Sequence, residues 1–311
     1  MTKPFIRPDV AALLSLIEQS GRAPIETLDP PAARANSNAA RAAMEVELGE
    51  IAVMRDFAMP GPAGPIGARL FDAASKRGPG DLIVYFHGGG FVIGDLDSHA
   101  PLCADLSRLT GLSVVSVDYR LAPEHPFPAG PEDAIAAARW LGAHGRDVGI
   151  EAERLVLMGD SAGANLALLA GIDQRDAPGA IPVAALGLIY PVTGPVEHAG
   201  SGRDFAEGYV LTRSVMDWFD GHYAARTGDW RHETRLRGFH GLPPTAVLTA
   251  SLDPLRDQGR ALAAALAAEG IETVYQEARG NIHGFATMRR LVPSAHRDIE
   301  RLCAALRLLL D

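Results

Sequence analysis

Leu155-Val-Leu-Met-Gly-Asp-Ser-Ala-Gly-Ala-Asn165 is the stretch whose reading decides the fold. Residues 155–158 form a short apolar run suited to a buried strand, and residues 164–170 read as a helix. Between them stands Gly159-Asp160-Ser161-Ala162-Gly163, a Gly-x-Ser-x-Gly turn. A serine at the apex of a sharp strand-to-helix turn sits in strained backbone, and side chains on either flank would strike the neighbouring elements. Gly159 and Gly163 remove them. The turn also sets Ser161 at a helix N-terminus, whose free amides and dipole favour the negative charge built up in acyl transfer.

Outward from this turn, strands and helices alternate. Strands are predicted at 82–86, 113–117, 155–158, 183–190, 245–250 and 272–276, and helices at 98–110, 131–144, 164–174, 257–269 and 294–310. Alternation of this kind implies a mostly parallel, twisted sheet with helices on both faces and right-handed crossovers. Two edge strands are predicted at 50–59 and 66–73, around the Pro-Gly-Pro-Ala-Gly-Pro turn at 60–65. Before them, residues 8–20 and 31–47 read as helices outside the alternating pattern, an appendage over the main domain. Residues 191–241 interrupt the pattern with aromatic residues and no strand signature, an insertion with helices of its own.

Three further motifs fall after predicted strands, where open α/β sheets place their ligands. His87-Gly88-Gly89-Gly90-Phe91 follows the strand ending at Phe86. A glycine run can turn its amides toward a developing oxyanion without side-chain obstruction, so Gly88 and Gly89, with Ala162, are the expected donors. His87 is expected to anchor the loop by a hydrogen bond. Asp253-Pro-Leu-Arg-Asp257 follows the strand 245–250. Asp253, nearest the strand end, is the candidate to orient a histidine, and Asp257 is read as a first-turn carboxylate of the next helix. Asn281-Ile-His-Gly-Phe285 follows the last strand, and His283 alone among ten histidines has both a glycine neighbour and the right chain position. His198, His222, His232 and His240 are read as surface or packing residues of the insertion. The order Ser161, Asp253, His283 is that of an α/β-hydrolase triad.

Composition narrows the classes. A net charge of −9 argues against nucleic acid or an anionic membrane as partner. With 47% hydrophobic and 22% charged residues the chain is ordinary for a globular enzyme. Neither a signal peptide nor a membrane-spanning stretch is read, so a cytoplasmic location is the expectation. The two cysteines, Cys103 and Cys303, are read as core residues rather than a disulfide or metal pair. No histidine spacing suggests a metal, and the chemistry needs no cofactor.

With these motifs the chain resembles the bacterial hormone-sensitive-lipase-like esterases, the family IV carboxylesterases, over nearly its whole length. The resemblance rests on His87–Phe91, Tyr119-Arg-Leu-Ala-Pro-Glu-His-Pro-Phe-Pro-Ala129, Gly159–Gly163, Asp253–Asp257 and His283-Gly284-Phe285. It implies an α/β-hydrolase fold with a helical cap from residues 1–50 and 191–241, and a catalytic domain from 51–190 and 242–311. It further implies Ser161 as nucleophile, Asp253 and His283 as its partners, and the glycine loop as oxyanion hole. Gly-Asp-Ser-Ala-Gly points to the branch named for that pentapeptide. A small-molecule ester of short to medium acyl chain is the implied substrate, and pairing of the last edge strand in a homodimer is the implied assembly. Ala164 replaces a glycine usual after the turn, and Gln258 a glutamate often found after Asp257; neither removes a catalytic atom. In the Tyr119–Ala129 loop, Arg120 is expected to pair with Glu124 or an aspartate. An amidase or deacetylase on the same triad is one alternative. A non-catalytic small-molecule receptor is the other, disfavoured because such receptors tend to lose the histidine that His283 supplies.

Overall fold

The structure, a computed structural model, describes residues 4–311. Its strands are β1 (Val53–Gly61), β2 (Gly64–Asp72), β3 (Gly80–Phe86) and β4 (Ser113–Asp118), then β5 (Ala152–Asp160), β6 (Val183–Ile189), β7 (Thr245–Leu252) and β8 (Thr273–Ile282). They form one sheet in the order β1-β2-β4-β3-β5-β6-β7-β8. β1 and β2 pair antiparallel, as do β2 and β4, and every pair from β4 to β8 is parallel. Helices cover both faces. Leu82, Val84 and Phe86 of β3 point toward α4 (Ala129–His144), α5 (Ala162–Asp176) and α8 (Arg256–Ala268). Ile83 and Tyr85 point toward α3 (Ala100–Thr110) and α9 (Ala295–Leu310). A parallel strand buried on both faces must be apolar throughout rather than alternating, and that is how β3 and β5 read.

Two strand ends differ from expectation. The proline-rich turn predicted at 60–65 contracts to Pro62-Ala63, with Gly61 opposite Gly64 and Pro60 opposite Pro65. A two-residue loop is closed by a hydrogen-bonded pair, so the next pair out is non-hydrogen-bonded and tolerates two prolines. β8 runs on to Ile282 rather than stopping at 276. Its second half, Glu277-Ala-Arg-Gly-Asn-Ile282, has little strand propensity; pairing with β7 holds it there.

The N-terminal helices α1 (Pro8–Gln19) and α2 (Pro30–Met44) lie outside the sheet. Asp29 caps α2, its carboxylate accepting from the Ala32 amide at 2.8 Å, and Pro30 opens the first turn. The chain start is tied to the chain end: the Arg7 amide donates to the Gly280 carbonyl (3.1 Å) and its guanidinium pairs with Asp298 of α9 (2.5 Å). After β6 the chain leaves the sheet and forms α6 (Ser201–Asp204) and α7 (Arg213–Tyr223) before β7. Leu211, Val215 and Met216 pack there with Leu255 and Ile25. Ser214 donates to Glu26 at 2.7 Å, so the insertion and the N-terminal segment meet. Among the described residues no helix is long and apolar enough to cross a membrane. Both cysteines are free and buried, and burial pushes their thiols up to about 12.

Candidate active site

β5 delivers Asp160, and α5 starts at Ala162; Ser161 between them has φ 55° and ψ −118°. A non-glycine residue there is strained, and the strain persists only where the surroundings over-determine it. They do here. The Ser161 amide donates to the Ile189 carbonyl of β6 at 2.8 Å. A methyl group on Gly159 would strike the Gly163 backbone, and one on Gly163 the Phe86 carbonyl. The two glycines thus let β3, β5 and α5 close around the serine.

The β7–β8 register brings the other two side chains together. Past an irregularity after Ala250, Leu252 lies opposite Ile282, so the next residues, Asp253 and His283, are neighbours on adjacent strand ends. His283 Nδ1 lies 2.8 Å from Asp253 Oδ2, and its Nε2 lies 2.9 Å from Ser161 Oγ. Asp253 is fully buried, and its other oxygen accepts from the Leu255 amide at 2.8 Å. With both carboxylate oxygens occupied, the imidazole is held in one orientation. The Tyr190 ring packs against it, centroids 4.5 Å apart.

The glycine loop needs one correction. The Gly88 amide, expected as an oxyanion donor, donates to Asp160 Oδ1 at 2.8 Å and is not free. Asp160, to which the sequence assigns no role, ties the loop to the serine's own strand. It also accepts from Tyr85 (2.8 Å) and Tyr190 (3.3 Å) and lies 3.3 Å from His99 Nε2. Burial opposes its charge, but His99, the Tyr85 hydroxyl and the Arg41 charge hold its carboxyl well below the usual range. The amides of Gly89, Gly90 and Ala162 have no acceptor among the described residues. Gly89 and Gly90 have φ of 126° and 58°, backbone that only glycine adopts freely.

His87 lies beneath the loop, its Nδ1 2.9 Å from the Gly88 carbonyl and its ring stacked on Tyr119 at 4.4 Å. Burial, then the neighbouring His99, lowers its pKa to about 3. Unfolding therefore takes up a proton between the unfolded value near 6.5 and about 3. Stability contributed by neutral, buried His87 is present at pH 7 and falls as the pH drops through that window. We expect the loss to approach about 1 kcal/mol per pH unit. Urea midpoints at pH 7, 6, 5 and 4 measure it, and His87→Gln should flatten the slope; an equal slope in the variant would contradict this.

Asp257 is engaged elsewhere: it accepts from the Ser201 amide at 2.8 Å and pairs with Arg256 (2.8 Å). Gln258 accepts from the Thr193 amide at 2.9 Å and pins the segment leaving β6. In the Tyr119–Ala129 loop, Arg120 pairs with Asp133 of α4 at 2.7 Å, one of the expected alternatives. Glu124 pairs instead with Arg34 of α2 at 2.6 Å, a partner too distant in sequence to foresee. His232, read as a surface or packing residue, is buried. It lines a cavity of about 1160 Å³ that contains Ser161 and His283 and is walled by Leu13, Met44, Val215 and Phe219.

Residues 83–287 match a protein family described as having the alpha/beta hydrolase fold. The chain is an α/β-hydrolase. This α/β-hydrolase is 37% identical over 262 residues to the esterase LipI of Mycobacterium tuberculosis, covering 82% of each chain. It is 32% identical to an ethyl acetate hydrolase of Pseudomonas putida over 97% of this chain and 98% of the other. Among solved structures it resembles a serine-to-alanine mutant of LAE6, an alpha/beta hydrolase enzyme from the metagenome of Lake Arreo, Spain. That match has a TM-score of 0.93 at 36% identity, over 98% of both chains. The α/β-hydrolase is accordingly a carboxylic ester hydrolase of the hormone-sensitive-lipase-like group, acting on small molecules.

Proposed function

We propose that Ser161, His283 and Asp253 carry out a two-step acyl transfer on esters of short to medium acyl chain. The observation that carries the reading is the continuous line from Asp253 through His283 to Ser161, 2.8 and 2.9 Å per step. His283 Nε2 takes the hydroxyl proton as Oγ bonds to the ester carbon. The carbonyl oxygen, now negative, meets the amides of Gly89, Gly90 and Ala162 in place of the Gly88–Gly89–Ala162 set. As the tetrahedral adduct collapses, the carbon–alkoxide bond breaks and His283 returns the proton to the leaving alcohol. Water then attacks the acyl-enzyme, giving its proton to His283, and the acid leaves as Ser161 regains the hydrogen.

Residues 1–50 and 191–241 act in this reading as a cap over residues 51–190 and 242–311, supported by the contact of Ile25 and Glu26 with α7. Gly159-Asp160-Ser161-Ala162-Gly163 supports placement in the branch named for that pentapeptide. β8, an edge strand with Tyr275 exposed, is the surface we assign to pairing in a homodimer. A small acyl group is favoured by the ethyl acetate hydrolase among the relatives and by apolar walls that close over the serine.

Labelling with a fluorophosphonate, followed by peptide mapping, should find one adduct at Ser161. Absence of that adduct in folded protein would remove the nucleophile. A p-nitrophenyl series from acetate to palmitate is expected to peak between two and eight acyl carbons, falling about tenfold or more by palmitate. A maximum on long, emulsified triglycerides would overturn the chain-length assignment.

A further inference from the structure

Arg41 stands out among the cavity residues because its charge, though felt by Asp160, is not met by a hydrogen bond at one buried nitrogen. It sits on α2 and lines the same cavity as Ser161 and His283. Its Nη1 is buried and has no hydrogen-bond partner among the described residues. Two turns earlier on the same helix, Arg34 shows the usual outcome: Glu124 takes both its terminal nitrogens, at 2.8 and 2.6 Å. A buried donor left without an acceptor is costly, and a guanidinium more so. Asp160 does not meet the need, because its oxygens are already taken by Tyr85, Gly88, Tyr190 and His99. Glu26, on the same cavity wall, is engaged by Ser214. One turn before Arg41, Ser37 also lines the cavity, so a hydroxyl and a guanidinium share one face of α2. The rest of the nearby wall, Ala40 and Met44, is apolar.

We infer that Arg41, with Ser37 beside it, binds a carboxylate on the substrate, so that the preferred esters are those carrying an anionic group at the end away from the scissile bond. The inference rests on the acyl-transfer reading of Ser161. A planar guanidinium presents paired donors matching a carboxylate, and in a largely apolar cavity such a charge-assisted contact is strong. The carboxylate could belong to either half of the ester. Monoesters of dicarboxylic acids carry it on the acyl side, and acetyl esters of hydroxy acids on the alcohol side. In either case Arg41 is a specificity residue: it touches the substrate away from the reacting atoms, and its effect falls mainly on KM.

The test compares kcat/KM for anionic esters with that for their neutral isosteres. On the acyl side, monoethyl esters of dicarboxylic acids of four to ten carbons are set against the diethyl esters. On the alcohol side, acetoxy acids are set against their methyl esters. The wild-type ratio of anionic to neutral is expected to exceed one in one of the two series. Arg41→Met is expected to lower that ratio about 10- to 100-fold, chiefly through KM, and Arg41→Lys to restore part of it. A wild-type ratio below one in both series overturns the inference, and that comparison needs no variant to fold. A ratio that Arg41→Met leaves unchanged overturns it too. Failure of phosphonate labelling at Ser161 sinks the underlying acyl-transfer reading, whereas labelling without charge preference sinks this inference alone.

Discussion

Ser161→Ala is expected to lower kcat on an activated ester by about a million-fold, to the level that binding and the amide donors alone sustain. The alanine cannot form the acyl-enzyme, and the His283 nitrogen that faces Oγ at 2.9 Å is left without a proton to take. In the proposed mechanism nucleophile and base act as a unit, so Ser161→Ala combined with His283→Ala should be scarcely worse than either alone. The fold should survive. Alanine keeps the β-carbon, so the backbone at φ 55° is no more strained than before. Ser161→Gly, which relieves that strain, should instead raise stability by about 1 kcal/mol or more. Single-turnover assays on p-nitrophenyl acetate, with circular dichroism as control, read all of these. More than one-hundredth of wild-type turnover in the alanine variant would defeat the assignment, as would losses that multiply in the double variant.

Arg289→Met is expected to cost about 3–5 kcal/mol of stability, the range found when one partner of a buried ion pair is removed. Arg289 is 1% exposed and holds two carboxylates. Its guanidinium lies 2.6 Å from Glu45, at the end of α2, and pairs also with Asp105 of α3. Methionine replaces the volume but strands Glu45, itself buried, without its counter-charge. Adding Glu45→Leu to the variant should recover much of the loss, since two apolar groups can replace a buried pair at little cost. Equilibrium unfolding in urea measures both, and a loss below about 1 kcal/mol for the single variant would mean that the pair is not structural. Because Met44 and Met288 both line the cavity, the single variant should also raise KM more than it lowers kcat.

What could be read from residue order follows from where the physics is local. The serine turn, the glycine loop and the alternation of strands and helices depend on neighbours within a few positions, and the eight-stranded α/β sheet matches that reading. Long-range partners were not legible. Whether Glu124 would meet Arg120 or Arg34 depends on how α2 docks, which no local pattern states. The Gly88 amide illustrates the same limit at the site. Its residue type and position suit an oxyanion donor, but the Asp160 carboxylate, 72 residues away in sequence, engages it first. The closeness of Asp253 to His283 likewise depends on a register irregularity after Ala250 that the sequence of β7 does not announce. Arg41 and Arg289 carry no motif at all; one is conspicuous only by a buried nitrogen without a hydrogen-bond partner among the described residues and the other by having two carboxylates.

The tie between Arg7 and the Gly280–Asp298 region bears on how the protein is made. A ribosome adding about 5–20 residues per second exposes the first helix roughly 15–55 s before its docking surface leaves the exit tunnel. Throughout that interval Val10 and Leu13, fully covered in the finished protein, face solvent or a chaperone. The first helix thus waits, with its apolar face uncovered, for a surface made some 280 residues later in the chain.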